Sequence, residues 1–261
     1  MPTAFLMYHE LTVAGRTPCE TAPGYLRYAI DANVFAAQLD WLSDGDFIGA
    51  SVGEALANGL DAPRQVVLTF DDGCETDVET AAPLLAARGF GATFFVVANW
   101  VGTRRGFMSA GQVRRLADAG FEIGSHSCSH AFLSEVDDAA LQRELADSKR
   151  MLEDITGGAV RHLSCPGGRW SRRVAVAARD AGYESVSTSR VAVNRADADP
   201  LALARCALRC DTTMPSFQAY CRGERLMAAA MQDRLLSGAK RALGARLYGG
   251  LRNLALRHQC L

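Results

Sequence analysis

Short apolar runs rich in β-branched and aromatic residues alternate along this chain with amphipathic helical stretches, and that alternation constrains the fold more than any other feature. Gln65-Val66-Val67-Leu68, Thr93-Phe94-Phe95-Val96-Val97 and Phe121-Glu122-Ile123 read as strands; residues 4–8 open the series, 161–165 continue it, and short apolar segments near Val186, Val191 and Leu203 follow. Helical patterns fall between them. Asp31 caps one with Phe35, Leu39 and Leu42 on one face, Pro83 fits the first turn of another that stops at Gly89, and Ser109 with Gln112 forms a capping box. A long helix over about 138–156 carries Leu141, Leu145, Ser148, Leu152 and Ile155 inward, and another runs from Ser171 to Gly182. Strands joined through helices lie parallel, and the number of units, with motifs after the strands, favours an α/β barrel over an open sheet. No repeat or linker divides the chain before about residue 223, so 1–222 reads as one catalytic barrel and 223–261 as a tail.

In such a barrel every strand end opens on one rim, where polar motifs gather. Asp71 and Asp72 follow the strand 65–68 within Thr69-Phe70-Asp71-Asp72-Gly73. Adjacent carboxylates raise each other's pKa unless a cation or separate partners hold them, and successive residues leaving a strand point in different directions, so the two can take different tasks. A solvated Asp-Asp-Gly turn is the plainer reading. His126 and His130, in Gly124-Ser125-His126-Ser127-Cys128-Ser129-His130, stand at i and i+4, a spacing that on a helical turn presents both imidazoles to one cation. With Asp72 they make a two-histidine, one-carboxylate set with open positions, the donor set of a catalytic rather than a structural site. Cys128, between the histidines, is expected to face away. The same set also serves non-haem iron oxygenases, but a second acid beside the ligand suits hydrolysis better.

The motifs resemble those of the NodB-type polysaccharide deacetylases, carbohydrate esterase family 4. Gly91-Ala92-Thr93-Phe94-Phe95-Val96 and Gly120-Phe121-Glu122-Ile123-Gly124-Ser125-His126 are similar to that family around the same strands, and the resemblance spans roughly 4–222. It implies an irregular, incomplete (β/α) barrel and metal-dependent hydrolysis of an N-acetyl group on an amino sugar. By the same resemblance Asp72, His126 and His130 hold a divalent metal, zinc first with cobalt, nickel or manganese as alternatives, and Asp71 is the general base. The metal and a backbone N–H near Gly73 or Cys74 are expected to hold the oxyanion. Pro166 and Gly167 of a third motif are expected to line the substrate mouth, and Trp170 and Trp100 to stack on a sugar ring or to serve packing alone.

Two family features are replaced. Ser164, in Ser164-Cys165-Pro166-Gly167-Gly168, stands where family members carry the arginine that orients the catalytic aspartate, leaving Arg205 or Arg169 to supply the cation. The late leucine-x-histidine motif that supplies the general acid is missing. Of the remaining histidines, Tyr8-His9 ends the first strand, and its order with Tyr28 and Phe35 resembles a subgroup acting on exopolysaccharide glucosamine. His9 is therefore expected to protonate the leaving amine, with His162 as the alternative. The two losses also motivate a rival reading, a catalytically inactive barrel that binds carbohydrate.

A net charge of −1 carries no global signal for nucleic acid. Eight cysteines without a CxxC pair read as mostly reduced thiols, no basic region precedes the apolar run at 4–8, and no stretch reaches the roughly 18 apolar residues of a membrane span. A cytoplasmic protein is expected. From Arg225 onward, leucines 236, 243, 247, 251 and 254 share a helical face opposite Arg234, Arg241 and Arg252. Such a helix either docks on its own barrel or lies on the inner membrane face, which would suit a glycolipid substrate.

Overall fold

Parallel pairing carries the polar strand ends to one rim. The computed structural model describes residues 2–224; the tail reading and its membrane contact fall at 225–261, outside the described residues. The strands are β1 (Ala4–Tyr8), β2 (Leu11–Thr12), β3 (Ile30–Asp31), β4 (Ile48–Ala50), β5 (Gln65–Asp72), β6 (Thr93–Val96), β7 (Glu122–Ser125), β8 (His162–Ser164), β9 (Ser185–Ser187) and β10 (Cys206–Ala207). The main sheet runs β10-β1-β5-β6-β7-β8-β9, all parallel, with β4 beside the first residues of β5. β2 and β3 form a separate parallel pair. Leu203 bridges Ser187, and three residues later Cys206 pairs with Leu6, so one short segment spans the gap between β9 and β1. The sheet is thus the irregular, incomplete (β/α) barrel expected from the sequence.

Side-chain alternation divides this sheet into two apolar layers. Tyr8, Phe70, Phe94 and Phe121 form a ladder beneath the helices, with centroids 5.1, 4.9 and 5.5 Å apart in turn, and Phe35 of the helix Ala32–Asp44 packs edge-on against Tyr8 and Phe70. Such pairs contribute roughly 0.5–1.5 kcal/mol each beyond area burial. The other layer, with Phe5, Val67, Phe95 and Leu203, fills the barrel interior. Along β5, Val67, Thr69 and Asp71 share that inner parity, which sends Asp71 into the barrel.

Several local expectations change. The helix expected from Pro83 begins earlier, with a π turn over Asp77–Ala81 running into Ala82–Ala86. The widened turn accommodates the missing N–H of Pro83 inside a continuing helix. Between β1 and the helix Ala32–Asp44 the chain forms β2, a helical turn at Pro23–Leu26 and β3. No strand forms at Val191, and among the described residues the last strand lies at Cys206–Ala207 rather than Leu203. Cys19, Cys74, Cys128, Cys165, Cys206 and Cys221 carry free thiols.

Candidate active site

Asp71 ends inside the barrel against a fully buried arginine. Arg205 donates through Nη1 to Asp71 Oδ1 at 2.7 Å and through Nη2 to Oδ2 at 2.8 Å. The guanidinium is held by the Thr188 carbonyl (2.9 Å), Thr69 Oγ1 (3.2 Å) and Ser164 Oγ (2.7 Å), while Ser164 donates to Asp71 Oδ2 at 3.2 Å. Burial alone would raise the pKa of Asp71; the charge and hydrogen bonds of Arg205 outweigh it and hold the carboxyl below the ordinary carboxylate range. Arg205 therefore supplies the cation lost at Ser164, and the small serine leaves room for it. Arg169, the other candidate, pairs instead with Glu135.

Asp72 leaves the ladder with a φ of +82°, a conformation that costs a non-glycine residue about 1–3 kcal/mol. The turn turns its carboxylate toward the histidines: Oδ1 lies 3.5 Å from His126 Nε2 and 3.5 Å from His130 Nε2. Gly73 continues the turn at φ +85°, where a Cβ would meet Val96 Cγ1 at 3.0 Å. His126 and His130 do not sit on a helical turn, as their spacing had suggested. They lie on an irregular loop in which Ser127 and His130 also have positive φ (+66° and +63°). That loop is shaped by Ser127 Oγ, which accepts from the His130 N–H at 3.0 Å, and by Glu144, which accepts from the N–H groups of Cys128 (2.9 Å) and Ser129 (2.8 Å). Cys128 points aside to Asn99 Oδ1 at 3.3 Å.

These three residues fit a cation. Asp72 Oδ1 is buried without a hydrogen-bond partner, an arrangement expensive to leave uncompensated. The three donor atoms lie within 4.8 Å of one another. Their 3.5 Å contacts approach the edge of about 3.3 Å that a tetrahedron with bonds of about 2.0–2.1 Å would have. His126 Nδ1 lies 2.9 Å from the Ser164 carbonyl, which can only accept, so Nδ1 carries the proton and the Nε2 lone pair faces Asp72. Burial pushes His126 down to about 3 and lowers His130 as well, favouring neutral imidazoles. Without a cation, burial pushes Asp72 up to about 6, with the charge of Asp71 adding to it against the opposing effect of His9.

His9 follows β1 on the same rim. The Tyr8–Phe70 register puts it level with Asp71; its ring packs on Tyr28 at 4.9 Å, and Nδ1 is buried without a partner. His162 begins β8 at the opposite rim, where Nδ1 meets Ser185 Oγ at 2.8 Å and Nε2 lies 3.4 Å from Glu122. That position removes it as the alternative acid. Met108 N bonds to Gly73 O at 3.0 Å and Glu75 N to Gly106 O at 2.8 Å. These bonds flank the Cys74–Phe107 bridge in its non-hydrogen-bonded register, which turns the Cys74 N–H to the other side. Pro166 and Gly167 form a tight turn closed by Gly168 N on the Cys165 carbonyl at 2.9 Å. Trp170 is anchored beyond this turn, its ring N–H donating to the Leu201 carbonyl at 2.7 Å. Trp100 packs on the site itself, 5.1 Å from the His130 ring, with the Arg104 guanidinium 4.1 Å over its face. The sequence held no signal for Glu144 and left Arg205 as one of two candidates.

Residues 59–186 match the family model described as "Polysaccharide deacetylase". YxkH of Bacillus subtilis (strain 168) is 27% identical over 190 residues, covering 71% of this chain and 68% of that protein. A chitooligosaccharide deacetylase of Bradyrhizobium sp. (strain ANU 289) is 30% identical over 131 residues, 48% of this chain and 56% of that one. Among solved structures, the Streptococcus pyogenes deacetylase PplD, determined with acetate, superposes with a TM-score of 0.75 at 23% identity, covering 85% of this chain and 98% of that one.

Proposed function

Since the chain belongs to the NodB-type polysaccharide deacetylase family, we propose that it is a metal-dependent hydrolase that removes the N-acetyl group from an N-acetylhexosamine unit of a polysaccharide, oligosaccharide or lipid-linked glycan. The observation that carries this reading is the pairing of an ionised Asp71 with the convergent donors of Asp72, His126 and His130. A bound divalent cation, for which zinc is the first expectation, would polarise the acetyl carbonyl and acidify a water molecule. Asp71 would be the group that accepts a proton from the water attacking the carbonyl carbon. Arg205 keeps that carboxylate aimed and ionised. The Cys74 N–H, with that of Gly73, stabilises the oxyanion. His9 protonates the nitrogen as the C–N bond breaks, releasing acetate and a free amine. The inactive-barrel reading loses one of its two supports, because Arg205 pairs with Asp71 where the motif arginine is missing.

The proposal extends to a cytoplasmic setting in glycan assembly, in which the basic stretch after Arg225 would meet an anionic membrane surface. Among the described residues no helix is long and apolar enough to cross a membrane. The test is acetate release from acetylated glucosamine oligomers and lipid-linked acetylhexosamine after chelation and re-addition of zinc, cobalt, nickel or manganese. Metal-restored release that disappears in Asp71→Asn supports the reading. Metal binding with no release from any of these substrates overturns it.

A further inference from the structure

A second set of metal-type donors lies beside the candidate active site and shares no residue with its ligand set. Glu10 follows His9, Cys74 follows Gly73, and Cys19 comes from the long connection between β2 and β3. One carboxylate oxygen and the two sulfurs lie within 4.8 Å of one another, with Glu10 and Cys74 buried. Both Glu10 oxygens accept from the Cys19 N–H, at 3.1 and 3.0 Å, which fixes the carboxylate against the thiol-bearing backbone. The Tyr25 hydroxyl lies 3.2 Å from Cys74 Sγ, and Cys19 Sγ donates to the Gly106 carbonyl at 2.9 Å. Gly106 has to be glycine here: its φ is +85°, and a Cβ would fall 2.7 Å from Cys19 Sγ.

Asp77 is the independent sign that something is missing. It is fully buried one turn after Cys74, its N–H bonded to the Cys74 carbonyl at 3.0 Å, yet neither carboxylate oxygen has a hydrogen-bond partner. Burial raises the pKa of that carboxyl, and the charge of Asp72 adds to it. Buried carboxylates and thiols crowded in this way are unfavourable as anions unless a cation joins them. Two sulfurs with carboxylate oxygens suit a borderline divalent ion and not magnesium or calcium, which take oxygen alone.

We propose that Glu10, Cys19 and Cys74 form a second cation site, selective for zinc-type divalent ions, with the buried Asp77 carboxyl close behind Cys74. Binding turns both thiols into thiolates and releases their two protons to solvent. It ties the connection carrying Cys19 to the residue two positions after Asp72, so the segment beside the site is clasped from both ends. The inference does not depend on the deacetylase reading.

The test uses the full chain, stripped with a chelator, reloaded with zinc or cobalt, and read by metal analysis and absorption. The parent is expected to hold two ions and, with cobalt, to show a thiolate-to-metal charge-transfer band. Cys19→Ser combined with Cys74→Ser should leave one ion and no band, while His126→Ala combined with His130→Ala should leave one ion and keep the band. Cys128→Ser should change neither. Should the double serine variant fail to fold, Glu10→Gln serves instead, with the second ion bound at least about tenfold more weakly. An ion content unchanged by the Cys19 and Cys74 substitutions, a band insensitive to them, or a parent lighter by two hydrogen atoms through a Cys19–Cys74 disulfide would each overturn the proposal, whatever the outcome for acetate release.

Discussion

Arg205 and Asp71, 134 residues apart in sequence, meet as a bidentate pair inside the barrel, and Ser164 hydrogen-bonds to both. The fork geometry matters as much as the charge. Arg205→Lys keeps a cation but cannot present two parallel donors, so kcat should fall by at least about tenfold with the protein still folded. Arg205→Met leaves Asp71 buried without its counter-charge and should cost about 3–5 kcal/mol in urea unfolding. Wild-type kcat in the lysine variant would show that the pair is structural only.

His9 and His162 should separate cleanly. His9→Ala is expected to lower kcat by about 10²–10⁴ while leaving bound metal and the melting temperature nearly unchanged. His162→Ala, which strips a partner from Glu122 at the far rim, should lower stability and leave kcat intact. The reverse pattern would return the acid role to His162.

Glu144 never touches the ligand atoms, yet it holds two N–H groups of the loop between His126 and His130. Glu144→Ala should weaken metal retention by about 10- to 100-fold in competition with a chelator. Unchanged retention would mean that the positive φ values of Ser127 and His130 hold the loop unaided.

Glu122 sets a pH dependence of stability away from the metal ligands. Its side chain is 23% exposed; burial raises its pKa, but His162, Thr93 and the Gly53 N–H outweigh that and lower it. A folded pKa below the unfolded value of about 4.3 means that the stabilisation is complete above that value and is lost as pH falls through the folded pKa. Urea midpoints measured from pH 6 down to about pH 3 should therefore fall less steeply for Glu122→Gln than for the parent. Parallel curves would show that the network contributes no proton linkage.

Local signals located most elements well. Asp31, Ser109 and Gln112 cap the helices expected of them, and Phe35, Leu39 and Leu42 are buried together, because caps and periodic faces are set by residues within a turn or two. The errors lie where chemistry at one position depends on distant chain. Pro83 marks a helix start by itself, but a π turn absorbs it; His126 and His130 have helical spacing, but Ser127 and Glu144 hold them on a strained loop.

The order of strands, their parallel pairing and the residue types at the strand ends follow from the sequence alone, since short apolar runs alternating with amphipathic helices admit few other arrangements. Register then brings Asp71, Asp72, His126 and His9 to one rim. Only the tertiary structure decided which cation orients Asp71, which histidine stands near it, and which thiols gather at Glu10. Each of these depends on side chains brought within hydrogen-bonding range from segments tens of residues apart, and contacts at that separation leave no periodic or local mark in the chain.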